Sequence, residues 1–152
     1  MNANLFLLNC RMNPRTLYLI KRTEIEVTSR MGKALEKYDV TPIQFTILYF
    51  VNQDKGDLSS AQLSRRFSTT PQSMNELIAV LLRKKLVKKT VDAAHKRILR
   101  ISLTAKGIKL LADCNVAIDA IESGLLEDLS STEIQKLREI IGKILEASKR
   151  NG

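Results

Sequence analysis

Few residues in this sequence are equipped for covalent chemistry. It has one histidine, His95, and two cysteines, Cys10 and Cys114. Nucleophilic catalysis by serine or threonine needs a base within hydrogen-bond reach and a third group to orient that base. A single imidazole between Ala94 and Lys96, with no second base in view, does not supply that arrangement. The serines and threonines at 59–60 and 68–70 therefore read as helix caps rather than nucleophiles. The two cysteines are far apart and form no Cys-x-x-Cys pair, so neither a zinc site nor a disulfide framework is expected. Both read as reduced thiols. No enzymatic activity and no cofactor are expected.

The residue types that remain suit non-covalent recognition. The chain has 25 Lys and Arg against 16 Asp and Glu, a net charge of +9 over 152 residues. The excess is concentrated. Residues 83–109 hold ten basic side chains (Arg83, Lys84, Lys85, Lys88, Lys89, Lys96, Arg97, Arg100, Lys106 and Lys109) against one acid, Asp92. A merely solvated face needs no such imbalance, because like charges repel. The window predicts a surface for phosphates. Just before it lie Thr70, Gln72, Ser73 and Asn75, small polar side chains able to hydrogen-bond base edges or phosphates.

The elements that must position these residues follow from periodicity. Leu17, Ile20, Val27, Met31, Leu35 and Tyr38 recur at helical steps and predict a long helix over 14–38, with Pro14 in its first turn. Thr41-Pro42-Ile43-Gln44 is a capping box opening a helix with Ile43, Ile47, Leu48 and Val51 inward, ending near Asp54. Ser59-x-x-Gln62 caps a short helix whose buried side is Ala61, Leu63 and Phe67. Thr70 caps a fourth, with Pro71 at its first position and Met74, Leu77, Ile78, Leu81 and Leu82 inward, ending near Lys85. Two helices joined by so short a turn match helix-turn-helix spacing. Alternation of Val87 and Val91, then Leu99, Ile101 and Leu103, with polar residues predicts a half-buried β-hairpin over 86–103. Thr104 and Ser130 cap two further helices, the first carrying Ile108, Leu111, Ile118, Ile121 and Leu125, the second Ile134, Leu137, Ile141, Ile144 and Leu145.

The expected fold is mainly α with a small β-hairpin wing. A winged helix-turn-helix occupies 41–104, flanked by helical dimerisation segments at 1–40 and 105–152. The apolar stripes of the flanking helices are wider than one small domain can cover, which predicts a homodimer. The fourth helix can enter a major groove about 12 Å wide with its N-terminus first, and the basic hairpin can lie along the backbone or in the adjacent minor groove. Ser59, Thr70, Gln72, Ser73, Asn75, Lys84, Lys88, Lys96 and Arg97 are the candidate DNA-contacting residues. No apolar run approaches the ~20 residues of a membrane span. The apolar residues 5–8 before Asn9-Cys10 lack the basic start and small residues of a lipoprotein signal.

The segments Thr41-Pro-Ile-Gln-Phe-Thr-Ile-Leu, Ser-Ser-Ala-Gln-Leu-Ser, Thr70-Pro-Gln-Ser-Met-Asn-Glu-Leu-Ile, Leu81-Leu-Arg-Lys-Lys-Leu-Val87 and Leu103-Thr-Ala-Lys-Gly107 together resemble the MarR family of bacterial transcription regulators. The resemblance runs over about 14–148. It implies a cytoplasmic homodimer, nucleoid-associated when bound, that recognises pseudo-palindromic double-stranded DNA. Most such proteins are repressors, and many release DNA on binding a small aromatic or anionic effector.

Four residues depart from the pattern: Ala94, His95, Glu76 and Lys85. The wing usually reads Asp-x-Arg-Asp-x-Arg and here reads Asp92-Ala93-Ala94-His95-Lys96-Arg97, with Ala94 in place of the arginine that enters the minor groove in many members. Glu76 stands near a position that is commonly basic. Lys85 replaces the usual glycine before Leu86. Weaker, differently tuned or partner-dependent DNA binding follows as an expectation. Two alternatives stay open: a winged-helix module that binds protein, and a DNA-binding protein without an effector. The family's peroxide-sensing branch carries its cysteine within the first dimerisation helix, whereas Cys10 precedes Pro14, so redox sensing is not expected.

Overall fold

The computed structural model describes residues 14–55, 58–91 and 99–150. Helix α1 spans Thr16–Leu35. It starts two residues after Pro14, because Arg15 is still extended and offers no side-chain cap. The helical path does not run unbroken to Tyr38. A 3-10 turn, Glu36–Tyr38, ends at Asp39, whose φ of 55° is left-handed. Only the C-terminal part of α1 reaches the core, through Leu35, Met31 and the following Tyr38.

Helix α2, Pro42–Gln53, opens on the capping box. The Gln44 N–H donates to Thr41 Oγ1 (3.3 Å), and the Thr41 N–H donates to Gln44 Oε1 (3.2 Å). Its buried stripe is Gln44, Phe45, Ile47, Leu48 and Val51. Ile43, expected inside, is exposed, because it lies more than a quarter-turn from the centre of that stripe.

A two-residue strand β1, Leu58–Ser59, leads into α3, Ser60–Arg66. Ser59 and Gln62 form the second capping box. The buried side of α3 is Leu63 and Ser64, with Phe67 edge-on to Phe50 at 5.8 Å. Ala61 is exposed, contrary to expectation: two residues before Leu63, it lies across the helix cylinder. Ser64 is tolerated inside because its hydroxyl donates to the Ala61 carbonyl (3.0 Å).

The turn into α4, Pro71–Arg83, is built on Ser68 in the left-handed region (φ 48°). The Ser68 N–H returns to Arg65 O (3.2 Å) and the Thr69 N–H to Ser64 O (3.0 Å), a Schellman ending for α3. Helix α4 ends the same way. The Lys85 N–H meets Leu82 O (2.9 Å), the Leu86 N–H meets Leu81 O (3.0 Å), and Leu81 and Leu86 are both buried. Lys85 holds φ 57° there. Lys85→Gly is therefore expected to raise unfolding stability by about 0.5–1 kcal/mol, measured by urea denaturation. A loss of stability would contradict this account of the turn.

Strands β2 (Val87–Val91) and β3 (Leu99–Leu103) pair antiparallel in the register Val87 to Leu103, and β1 joins the other edge of β3, with Leu58 opposite Ile101. The sheet order is β1-β3-β2. Only Val87 and Ile101 of the alternating apolar set are fully buried. Val91 and Leu99 are exposed, since the helical body backs only the base of the hairpin.

Helix α5, Ala105–Leu125, is capped by Thr104 and buries Gly107, Leu111 and Cys114, while Ile108 stays exposed. Helix α6, Ser131–Arg150, begins at Ser130, whose N–H and hydroxyl both donate to Glu133. No described side chain of α6 is buried. Arg138 ties it to Glu122 of α5 at 2.9 Å. The core thus collects under α2–α4 and the sheet, sealed by the end of α1 and the start of α5.

Candidate nucleic-acid interface

Thr70 caps α4 through its side chain. Its Oγ1 accepts from the Ser73 N–H (3.1 Å) and donates to Ser73 Oγ (2.9 Å). Pro71, without an N–H, occupies the first turn. The positive end of the helix dipole here favours an anion. Gln72, Ser73, Asn75 and Glu76 are all exposed, while Met74 and Ile78 anchor the opposite side of the helix in the core. Asn75 is held by α3: Ser60 Oγ donates to Asn75 Oδ1, which leaves the amino group of Asn75 outward.

Beside this face lies a groove of about 570 Å³, walled by the start of α3, by Asn75 and by the hairpin strands. Ser59 and Ser60 line it, and Arg65, Lys89 and Arg100 bring three positive charges. Arg100 is half-buried, and its Nη1 donates to Gln62 Oε1 (3.2 Å). Arg66 turns the other way, stacking on Phe50 at 4.1 Å and pairing with Asp54. Only the first of these adjacent arginines serves the groove. Lys88 is exposed on β2, on the opposite sheet face from Lys89.

The expected residues are therefore brought together in part. Ser59 and Asn75 line the groove with the basic strands, and Thr70, Gln72 and Ser73 share with Asn75 the exposed start of α4. Lys96 and Arg97 lie outside the described residues, as does Ala94. Lys84 sits at the far end of α4, roughly 20 Å of helix axis from Thr70. Its ammonium donates to the Asp39 carbonyl oxygen and pairs with the Asp39 carboxylate (3.1 Å), so it joins α4 to the end of α1. Sequence reasoning passed over Ser60, Gln62 and Arg65. Lys89 and Arg100 stood in the basic window without being singled out.

The same end of α4 is stitched to α5. The Thr104 hydroxyl donates to Lys85 O (2.7 Å), the Thr104 N–H donates to Leu86 O (3.0 Å), and Lys106 Nζ donates to Lys84 O (3.0 Å). This explains the Leu103-Thr-Ala-Lys-Gly107 run: a cap that also grips the preceding helix end. Cys114, inside α5, is fully buried, and that burial, with help from Asp113, pushes its thiol up to about 11. At pH 8 its thiolate is scarce, so alkylation by iodoacetamide is expected to be at least ~100-fold slower than for an exposed thiol and to accelerate as pH rises. Residue-resolved mass spectrometry reads this directly, and a rate equal to that of free cysteine would refute it.

A polar helix N-terminus, a second helix bracing it and a basic antiparallel hairpin define a winged helix-turn-helix protein. Comparison with known proteins agrees. The MarR family model matches residues 38–98. A transcriptional repressor of Mycobacterium tuberculosis is 28% identical over 127 residues, 84% of this chain and 91% of that protein. A transcriptional regulator of Bacillus subtilis is 23% identical over 130 residues, 86% and 80% of the two chains. The crystal structure of Staphylococcus aureus MepR with DNA superposes with a TM-score of 0.77 at 27% identity, covering 88% of this chain and 96% of that one. Escherichia coli MarR without ligand shares the fold, with a TM-score of 0.73 at 18% identity over 88% and 99% of the two chains. Over residues 38–98 the chain is thus similar to the MarR family model, and the relatives that it resembles along most of its length are helix-turn-helix transcriptional regulators. Among the described residues no helix is long and apolar enough to cross a membrane.

Proposed function

We propose that the chain is a MarR-family transcriptional regulator, a cytoplasmic homodimer that binds a pseudo-palindromic DNA operator and represses the genes behind it. The supporting observation is the joint placement of the exposed polar start of α4 and the positive groove of Arg65, Lys89 and Arg100. Residues 41–104 form the DNA-binding region. The segments 1–40 and 105–152 form the dimerisation region, where the uncovered apolar faces of α1, α5 and α6 pair with a second copy. Two copies present two α4 helices to two half-sites about one helical turn apart, or a multiple of that. Of the expected contacts, Ser59, Thr70, Gln72, Ser73, Asn75, Lys88, Lys96 and Arg97 keep this role, joined by Arg65, Lys89 and Arg100.

Release by a small anionic or aromatic effector is part of the same reading. A groove of about 460 Å³ lies between α1 and the start of α2, lined by Lys33, Asp39 and Lys84 among others. An anion there competes with Asp39 for the Lys84 ammonium and so reaches the end of α4.

Selection of duplexes from a random library tests the operator reading. The expected winner is two-fold symmetric, bound about 10³-fold or more tighter than random DNA at physiological salt, with affinity falling steeply as salt rises. Equal affinity for all sequences, or no salt dependence, would overturn it.

A further inference from the structure

The exposed face of α4 carries one acid amid this positive surface. Glu76 shares its side with Gln72 and Asn75. Among the described residues no cation lies within ion-pair distance of it. Its hydrogen bond comes from Gln72 Nε2 at 3.4 Å. A carboxylate only accepts, so Gln72 must turn its amino group toward Glu76 and its carbonyl oxygen elsewhere. Four residues of helix separate the two by about 6 Å along the axis, less than two base-pair steps.

An unneutralised acid beside phosphates repels them, and a neutral residue would serve better there. At base edges the sign reverses. The donors in the major groove are the exocyclic amino groups of cytosine N4 and adenine N6, and carboxylates accept from cytosine N4. We propose that Glu76 is a specificity-determining residue that accepts from a cytosine amino group at one position of each half-site. It also holds Gln72 with its carbonyl outward, so that the neighbouring position selects an amino donor as well. The pair makes an acceptor patch, in contrast to Asn75, whose carbonyl is taken by Ser60. This inference rests on the operator-binding reading above.

The test repeats the duplex selection with the full-length protein, with Glu76→Gln and with Glu76→Lys. Both substitutions lie on an exposed helix face. Wild type is expected to enrich cytosine at one position of each half-site. Glu76→Gln is expected to lower discrimination at that position about tenfold or more, leaving positions away from the Gln72–Glu76 pair unchanged. Glu76→Lys is expected to steepen the salt dependence while losing the same base preference. A residue that merely supported α4 would weaken every position evenly. An even loss, or the same site selected by wild type and Glu76→Gln, overturns this inference and leaves the operator reading standing. No enriched duplex for wild type overturns both.

Discussion

Replacing Ile141 and Ile144 together by glutamate is expected to convert a dimer into a 17.1 kDa monomer and to abolish specific operator binding. Within one chain, α6 leaves Leu137, Ile140, Ile141, Ile144 and Leu145 between 37% and 57% exposed, all on one stripe at helical spacing. Helix α1 adds Leu17 at 76% and α5 adds Val116 at 72%. Monomeric proteins seldom expose apolar patches of that extent. A carboxylate carried into such an interface must be desolvated without a partner, at a cost of several kcal/mol. Two per protomer, four per dimer, should weaken association by far more than ~10³-fold. Operator affinity should fall in step, because a monomer offers one α4 helix instead of two, and the residual binding should approach the non-specific level. Analytical ultracentrifugation and binding to the selected duplex read the two effects. Lys136→Ala in the same helix is the control and should change neither. A wild-type chain that sediments as a monomer, or a double variant that remains dimeric, would refute the assignment of this face.

Gly107→Ala should be the most destabilising single-methyl change in the described chain. A Cβ at Gly107 would collide with the Leu86 carbonyl oxygen and lie 3.0 Å from its carbon. The obstacle is backbone, and that carbonyl already accepts from the Thr104 N–H, so it has no rotamer by which to yield. The start of α5 would have to move off the end of α4, disturbing the Thr104 and Lys106 hydrogen bonds. Overpacking of this kind costs about 3 kcal/mol, roughly 6–12 °C in Tm for a chain of this size. Gly124→Ala and Gly142→Ala are the contrast. Nothing lies within 4 Å of a Cβ at either position, and each should gain about 0.5–1 kcal/mol as helix propensity dictates. All variants must be compared at one protein concentration, because dimerisation couples to Tm. Equal melting of Gly107→Ala and wild type would show that the α4–α5 joint is slack.

Local rules made much of the fold legible. The caps at Thr41, Ser59, Thr70, Thr104 and Ser130 each start a helix where the residue pattern placed one, because a cap and its helix lie within four residues of each other. The inward stripe of α4 and the change to strand period after Lys85 are equally local. The departures concern helix rotation and long-range pairing. Ile43 and Ala61 turned outward because the partner surfaces, not the residue's own apolarity, choose which part of a wide stripe is buried. Strand β1 was invisible because two residues have no period; it exists only because β3 offers an open edge.

The candidate interface divides along the same line. Composition and caps by themselves determined a basic winged helix-turn-helix with small polar residues at the start of α4, since charge and capping are properties of short segments. Tertiary structure alone decided which charges act together. It brought Arg65 from α3 beside Lys89 and Arg100 from the hairpin, and turned Arg66 onto Phe50. It also sent Lys84 to Asp39, 45 residues earlier in the chain. The physical reason is distance: an ion's partner is set by where its Cα lies in space, and that position is fixed only when distant helices pack.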